Sequence, residues 1–489
     1  MPIRRLPGKP SLEHLRNEAK ALQRAHAASD SDAISRVREF HPRASEILDL
    51  KRADAQLVVA RSYGFPSWPR LRSYIETVAH YVSSSDGDAR GDESLEDRFL
   101  RLASLTYSAD GPERRREAWD LLAVHPELAA ATIHTAAAVG DVSAAAEFLA
   151  RDRSLSRRRG GPRGWEPLLY LAYSRLNSPR AEHSTLEVAR QLLEHGADPN
   201  AGFLGDWGPP PFTALTGAFG YGEDAPNQPP HEYELELARL LLEAGADPND
   251  EQTLYNNLWR RSNEHLELLF AYGLGTGDGG PWQRRLAPML ATPAQMLEDQ
   301  LVFSADGGNT ERVELLLRHG VDVNALGTQH PTLRGRNALD LALANGHSEI
   351  AEALIAAGAS ASARDPVEEL LTACMRGDRP RVRELLTSDA GLAAEAIARD
   401  PTRLVKAVEL DRPGAVRLLA ELGCDMNRIE QGPPALHLAA YDGNREMVDL
   451  LLELGADPTV KDHNFNATPS GWARHAHHDD LADHLRELE

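Results

Sequence analysis

Nineteen histidines, two cysteines and 74 carboxylates are the side chains of this sequence best suited to chemistry. Catalysis or metal binding would need them at workable spacing. His475, His477, His478, Asp479 and Asp480 form the densest run of possible metal ligands. His477 and His478, however, occupy a turn position that recurs along the chain, so no metal is expected there. Cys374 and Cys424 lie fifty residues apart and read as small packed residues. The chain shows no Gly-x-Gly-x-x-Gly after a strand, no phosphate-binding Gly-Lys-Ser/Thr, no His-Glu-x-x-His and no nucleophile elbow. The expectation is a protein that is not an enzyme, with no catalytic residue, metal or cofactor.

Whatever function exists must come from the surfaces that the folded elements build. At 489 residues the chain exceeds one compact core. Its apolar fraction of 42% and charged fraction of 26% are those of folded protein. Two cysteines exclude a disulfide framework and fit a reducing cytosol. No apolar run of membrane-spanning length occurs, and Met1 to Pro10 lacks the apolar core of a secretion signal. The net charge of −21 disfavours nucleic acid as a partner. Residues 1–80 run against that trend, with 14 Lys and Arg against 9 Asp and Glu. The expected protein is cytoplasmic, monomeric and free of membrane.

The chain repeats itself. Glu-His-Gly-Ala-Asp-Pro-Asn ends at Asn200, and close relatives of this phrase end at Asn249, Asn324 and Thr459, each after a leucine run. Twelve residues before the phrase's glycine stands another turn residue, as in Gly308 before Gly320, Gly346 before Gly358, Asp411 before Gly423 and Gly443 before Gly455. Upstream come a polar helix start (Asn337, Thr402), an apolar anchor two residues on (Leu339, Leu404) and a small residue three further (Ala342, Ala407); Leu436 and Ala439, and Thr468 and Ala473, hold the same positions in later units. A capped short helix, a turn, a second helix and a glycine stop therefore recur. Such a helix pair cannot bury its apolar face alone, so pairs must stack.

This pattern resembles the ankyrin repeat. Gly-Pro-Pro-Ala-Leu-His-Leu-Ala-Ala-Tyr-Asp-Gly-Asn (432–444) is similar to the family's Gly-x-Thr-Pro-Leu-His-x-Ala-Ala-x-x-Gly-His. The expected fold is all-α: an ankyrin-repeat solenoid of about ten helix-turn-helix units over residues 130–489, with protruding hairpin loops. Helix starts are expected near 131, 166, 212, 252, 299, 337, 368, 402, 434 and 468. Residues 1–82 form a small N-terminal helical domain, with helices near 11–22, 32–40, 51–62 and 69–79. Residues 83–94 read as a linker and 95–129 as a helical cap. The segment holding Asp54-Ala55-Gln56-Leu57 and Gly64-Phe65-Pro66-Ser67-Trp68 is similar to one preceding ankyrin arrays in bacterial proteins, and it implies no activity.

Insertions interrupt the early repeats at 174–184, 201–211, 222–233 and 276–295, and Arg151–Arg163 forms a dense basic loop. The ankyrin resemblance implies a scaffold or adaptor that binds a protein partner through its concave face and hairpin tips. Register places Tyr170, Tyr173, Tyr221, Asn256, Trp259, Arg260, Phe303, Met375, Arg376, Tyr441 and Asp442 on that face, with the aromatic ones gathered in repeats two to five, and Trp207 in the long hairpin is a further partner-binding candidate. An alternative is a small-ligand or catalytic pocket in repeats two to four, using Asp206, His231, Tyr255, Asn257 and Arg260.

Overall fold

The computed structural model describes residues 4–7, 10–82, 93–176, 183–328, 333–362, 365–429 and 432–489. Most of the expected linker, and the middle of the insertion after Ser174, lie outside these residues. The fold is all-α, with one two-stranded antiparallel sheet among the described residues. No described helix is long and apolar enough to cross a membrane. Two compact units divide the chain, Met1–Met296 and Leu297–Glu489.

In the C-terminal unit the repeat signals produce what their chemistry dictates. First helices run over Ala338–Ala344, Pro366–Met375, Arg403–Glu409, Ala435–Tyr441 and Pro469–His475, and each is followed by a second helix such as Arg445–Glu453 or Asp479–Arg486. Asn444 caps its helix by accepting from Met447 N at 3.0 Å, and Gly455 stops it at φ 100°. The helix expected near 299 begins earlier, at Pro293, and runs to Gly307. One additional helix, Leu392–Arg399, fills the connection between two pairs. Val416, Leu419, Val448, Leu451 and Leu485 form the continuous core beneath the pairs.

The Asp-x-Asn phrase (Asp-Pro-Asn at 198–200, Asp-Val-Asn at 322–324, Asp-Met-Asn at 425–427) does the same work in both units. Its Asp accepts from the backbone two residues on, as Asp198 does from Asn200 N at 2.9 Å and Asp425 from Asn427 N at 2.9 Å. Its Asn then reaches the next hairpin: Asn200 Oδ1 accepts from Asp247 N, Asn324 Oδ1 from Ser360 N and Asn427 Oδ1 from Asp457 N, at 2.8–3.0 Å. The phrase is thus a ladder rung between successive hairpins. The recurrent histidines are also structural. His134 Nε2 donates to Arg158 O at 2.8 Å, and His437 Nε2 to Ala467 O at 3.1 Å.

The N-terminal unit opens with helices Leu12–Ala27, Ser31–Phe40, Arg52–Ser62 and Trp68–Tyr81, close to the expected limits. Leu95–Ala103 and the turn Pro126–Ala130 pack on the first repeat helix, Ile133–Val139. Three more helix pairs follow, with first helices Pro167–Tyr173, Ala214–Phe219 and Glu251–Asn256. The long loop after Asn200 forms strands β1 (Gly202–Gly205) and β2 (Gly208–Thr213), paired Gly202 to Thr213 and Phe203 to Phe212. The insertion after residue 276 forms a helix, Gly280–Leu286.

These insertions do not stand free. The apolar core of the first four helices continues directly into Leu204 of β1 and into Trp282, Leu286 and Leu290. Tyr81 meets Trp282 at 4.8 Å between ring centres, and the Arg285 guanidinium lies 5.4 Å from Tyr81 and 5.1 Å from Trp282. Trp282 Nε1 donates to Asn200 O at 2.9 Å. The inserted segments are the seat of the N-terminal helices. The basic loop is equally occupied. Arg153 donates to Glu194 O and His195 O and Arg157 to Gly196 O, capping the end of the helix Thr185–Glu194. Arg159 donates to His80 O at 3.1 Å.

Candidate functional site

The early repeats need unusual support for their long loops. Thr213 caps Ala214–Phe219 and Asp250 caps Glu251–Asn256. The Asp250 carboxylate also accepts from the hydroxyls of Thr213 and Thr216, which ties the two helix starts together. Burial pushes its pKa up. After Phe219 the chain turns through Gly220 and Tyr221, both left-handed at φ 61° and 57°. The loop then closes by Tyr221 N to Gln228 O at 2.8 Å and His231 N to Ala218 O at 3.0 Å.

Arg175 holds this loop from inside. Its guanidinium donates to Pro229 O at 2.7 Å, Gly217 O at 2.6 Å, Ala172 O at 3.0 Å and Ser174 O at 2.8 Å. Burial lowers its pKa to about 10. The sequence pattern gave no sign of this residue, because it lies outside the repeat register.

Several residues expected on a partner-facing surface are interior, which corrects that assignment. Tyr170 and Tyr173 are fully buried. The Tyr170 hydroxyl donates to Gly160 O at 3.1 Å and that of Tyr173 to Thr213 O at 2.9 Å. Trp165 and Phe203 pack on Tyr173 at 5.1 and 5.5 Å, so these rings fill the volume under the long loops. Asn256 is buried and accepts from Gln252 Nε2 at 2.7 Å. Met375 is buried in the C-terminal core. Arg260 is 8% exposed and donates through both Nη atoms to Glu234 at 2.7 Å. It also lies over the Tyr221 ring at 5.1 Å.

Others do face outward. Trp207 is 53% exposed at the β1–β2 turn and Trp259 is 39% exposed. Arg376 and Asp442 are exposed, and Tyr221, Phe303 and Tyr441 are half-buried. In the C-terminal unit Tyr441 packs on Trp472 at 5.9 Å. Phe465 and His475 join Tyr441 and Trp472 there, and a second outward group lies in the N-terminal unit. Trp259 stands edge-on to Tyr255 at 5.4 Å and 86°. Tyr255 donates its hydroxyl to Glu223 Oε1 at 2.6 Å. Burial, and then that carboxylate, raise the tyrosine pKa, so it stays a donor.

The residues expected to form a small-ligand pocket have local duties. His231 is held neutral, its pKa pushed down to about 3 by burial and by Arg175. Its Nδ1 accepts from Tyr233 N at 3.1 Å. The fully buried Asn257 donates to Thr253 O, one helical turn back, at 2.9 Å. Asp206 sits in the β1–β2 turn. A small cleft, of about 20 Å³, does lie beside the inserted helix, lined by Asp247, Asp250, Trp282 and Gln283 among others. None of Asp206, His231, Tyr255, Asn257 and Arg260 lines it. Among the described residues no group of three or more His, Cys, Asp or Glu is placed to hold a metal ion.

Comparison with known proteins gives two findings. Residues 294–365 and 370–462 match the family model described as ankyrin repeats in three copies. A protein described as L-asparaginase from Dirofilaria immitis is 27% identical over 191 residues. That stretch is 39% of this chain and 31% of that relative, so the chain spans about a third of the relative's length.

Proposed function

From the ankyrin repeats of the C-terminal half as premise, we propose that this protein is a non-catalytic scaffold that binds a protein partner, chiefly through the early repeats. Ankyrin repeats imply protein partners in general. The observation supporting the location is the exposed Trp259, edge-on to the half-buried Tyr255 whose hydroxyl bonds Glu223. Tryptophan and tyrosine are the residues most often central to interfaces. Trp207 at the hairpin tip offers a second exposed ring. The protein acts as a cytoplasmic monomer in this reading. Cys374 and Cys424 are buried, their thiol pKa values pushed up to about 12 and about 11, so both stay protonated and inert.

The test is a crosslinked pull-down from native lysate with the full chain and with the Trp259→Ala/Tyr221→Ala double variant. A protein captured by the parent and lost with the variant is the expected result. Equal capture by both would refute this face. The likeness to a protein described as L-asparaginase motivates a second reading, amide hydrolysis. Ammonia release from asparagine by the full chain would favour it. The non-catalytic reading is preferred because the likeness covers a third of that relative and the sequence shows none of the catalytic motifs sought above.

A further inference from the structure

The first helix, Leu12–Ala27, has two unlike faces. Leu15, Ala19 and Leu22 are buried, and the helix packs on Arg52–Ser62. Arg16, Lys20 and Arg24 are exposed. They stand at i, i+4 and i+8, so they line one face along about 12 Å of helix. Among the described residues none of the three makes an ion pair, and Arg24 Nε–H reaches Lys20 O at 3.4 Å. Carboxylates close by are engaged elsewhere. Glu18 accepts from Arg4, Arg36 and the Tyr63 hydroxyl. Asp30 caps the next helix by accepting from Asp32 N at 3.1 Å and Ala33 N at 2.9 Å. Glu13, the helix's other carboxylate, lies on the exposed face one turn before Arg16 and offsets one charge of the three.

Like charges one turn apart weaken a helix. Arg24 lies in the last turn, where the helix dipole compensates it, but Arg16 and Lys20 stand mid-helix, where the dipole does not. An anion brought from outside would neutralise them. Residues 1–80 carry +5 in a chain of −21, which leaves −26 on the remainder. A nucleic acid or an anionic membrane extends well beyond this stripe and meets those acids, whereas a short segment does not. We propose that this face docks a short acidic segment of a protein partner, with its Asp or Glu carboxylates seated on Arg16, Lys20 and Arg24. The two guanidinium groups suit carboxylates, since each presents a planar fork of donors to two oxygens. This site goes beyond the early-repeat face and is tested independently of it.

The test uses the full chain and fluorescein-labelled twelve-residue peptides that alternate Gly with Glu or with Ser, beside an oligothymidylate of the same length. Anisotropy is read at about 0.15 M salt, where long-range charge effects are screened. The Glu peptide is expected to bind and the Ser peptide not to. Arg16→Gln/Lys20→Gln/Arg24→Gln removes the charges at exposed positions with a residue of similar helix propensity, and circular dichroism checks that the helix persists. It is expected to weaken the Glu peptide by about tenfold. The control is Arg379→Gln/Arg417→Gln/Arg445→Gln, which alters the net charge equally at exposed arginines paired with Glu421, Glu453 and Asp449. It should leave binding unchanged. A Glu peptide that does not bind, that binds no better than the Ser peptide, or that responds equally to both triple variants would overturn the inference. Tighter binding of the oligothymidylate than of the Glu peptide would also overturn it, in favour of nucleic acid. The Trp259→Ala/Tyr221→Ala variant keeps the Glu peptide if the two sites are separate, so failure of one face is distinguishable from failure of the other.

Discussion

In the C-terminal unit the turn after Tyr441 takes three residues, and Asn444 caps the next helix with its own side chain. In the N-terminal unit the corresponding connection after Phe219 runs to Tyr233 and has no such cap. There Arg175, reaching in from another repeat, ties the loop's Pro229 O to Gly217 O of the preceding helix. The two units share the Asp-x-Asn rung and the left-handed glycine, yet support their connections differently. A short turn satisfies itself from residues two or three positions away. A long loop brings more backbone polar groups than its own side chains can reach, so a multi-donor cation and a layer of aromatic rings must serve it from elsewhere. Inserted segments therefore create packing demands, and here they meet them by seating the N-terminal helices on Leu204 and Trp282.

That contrast can be broken most severely at Arg175. Arg175→Met keeps the volume but strands carbonyls at Ala172, Ser174, Gly217 and Pro229. The expected cost is about 3–5 kcal/mol. Hydrogen exchange should speed up across 214–233 and leave 435–486 as before. Uniform loss over both units would contradict the contrast.

A smaller effect is expected at Glu166, beside the basic loop. Burial, and next Asp198, push its pKa from the ordinary 4.5 up to about 7 despite Arg157, Arg159 and Arg285. Between those values the native state holds the proton that the unfolded state has lost. This group therefore makes stability fall as pH rises from about 4.5 through 7. Glu166→Gln should match the parent's Tm below pH 4.5 and exceed it increasingly up to pH 8. A Tm difference that does not change with pH would refute the assignment.

The smallest effect belongs to the short turns. Asn444→Ala removes one cap, and the bond from its Nδ2 to Asp411 at 2.8 Å, for about 1 kcal/mol. Urea titration with exchange readout should confine the loss to the C-terminal unit. A cost comparable to that of Arg175→Met would show that short turns depend on distant support as well.

The sequence by itself determined the helix pairs and most of their starts and stops, but not the early start at Pro293 or the helices Gly280–Leu286 and Leu392–Arg399. Caps, glycine stops and leucine spacing act within a few residues, so Asn444, Gly455 and the Asp-Pro-Asn phrases announce their roles. It also showed that Trp259 and Tyr255 belong to an irregular repeat. Only the tertiary structure decided which aromatic rings face outward. Tyr173 and Trp259 both carried the signature of an interface residue, but one is sealed beneath a hairpin and the other is open. That choice depends on which distant segments fold over each position. Register could not supply it, and Arg175, Phe203 and Trp282 could: they act across tens of residues, where spacing along the chain carries no information about contact.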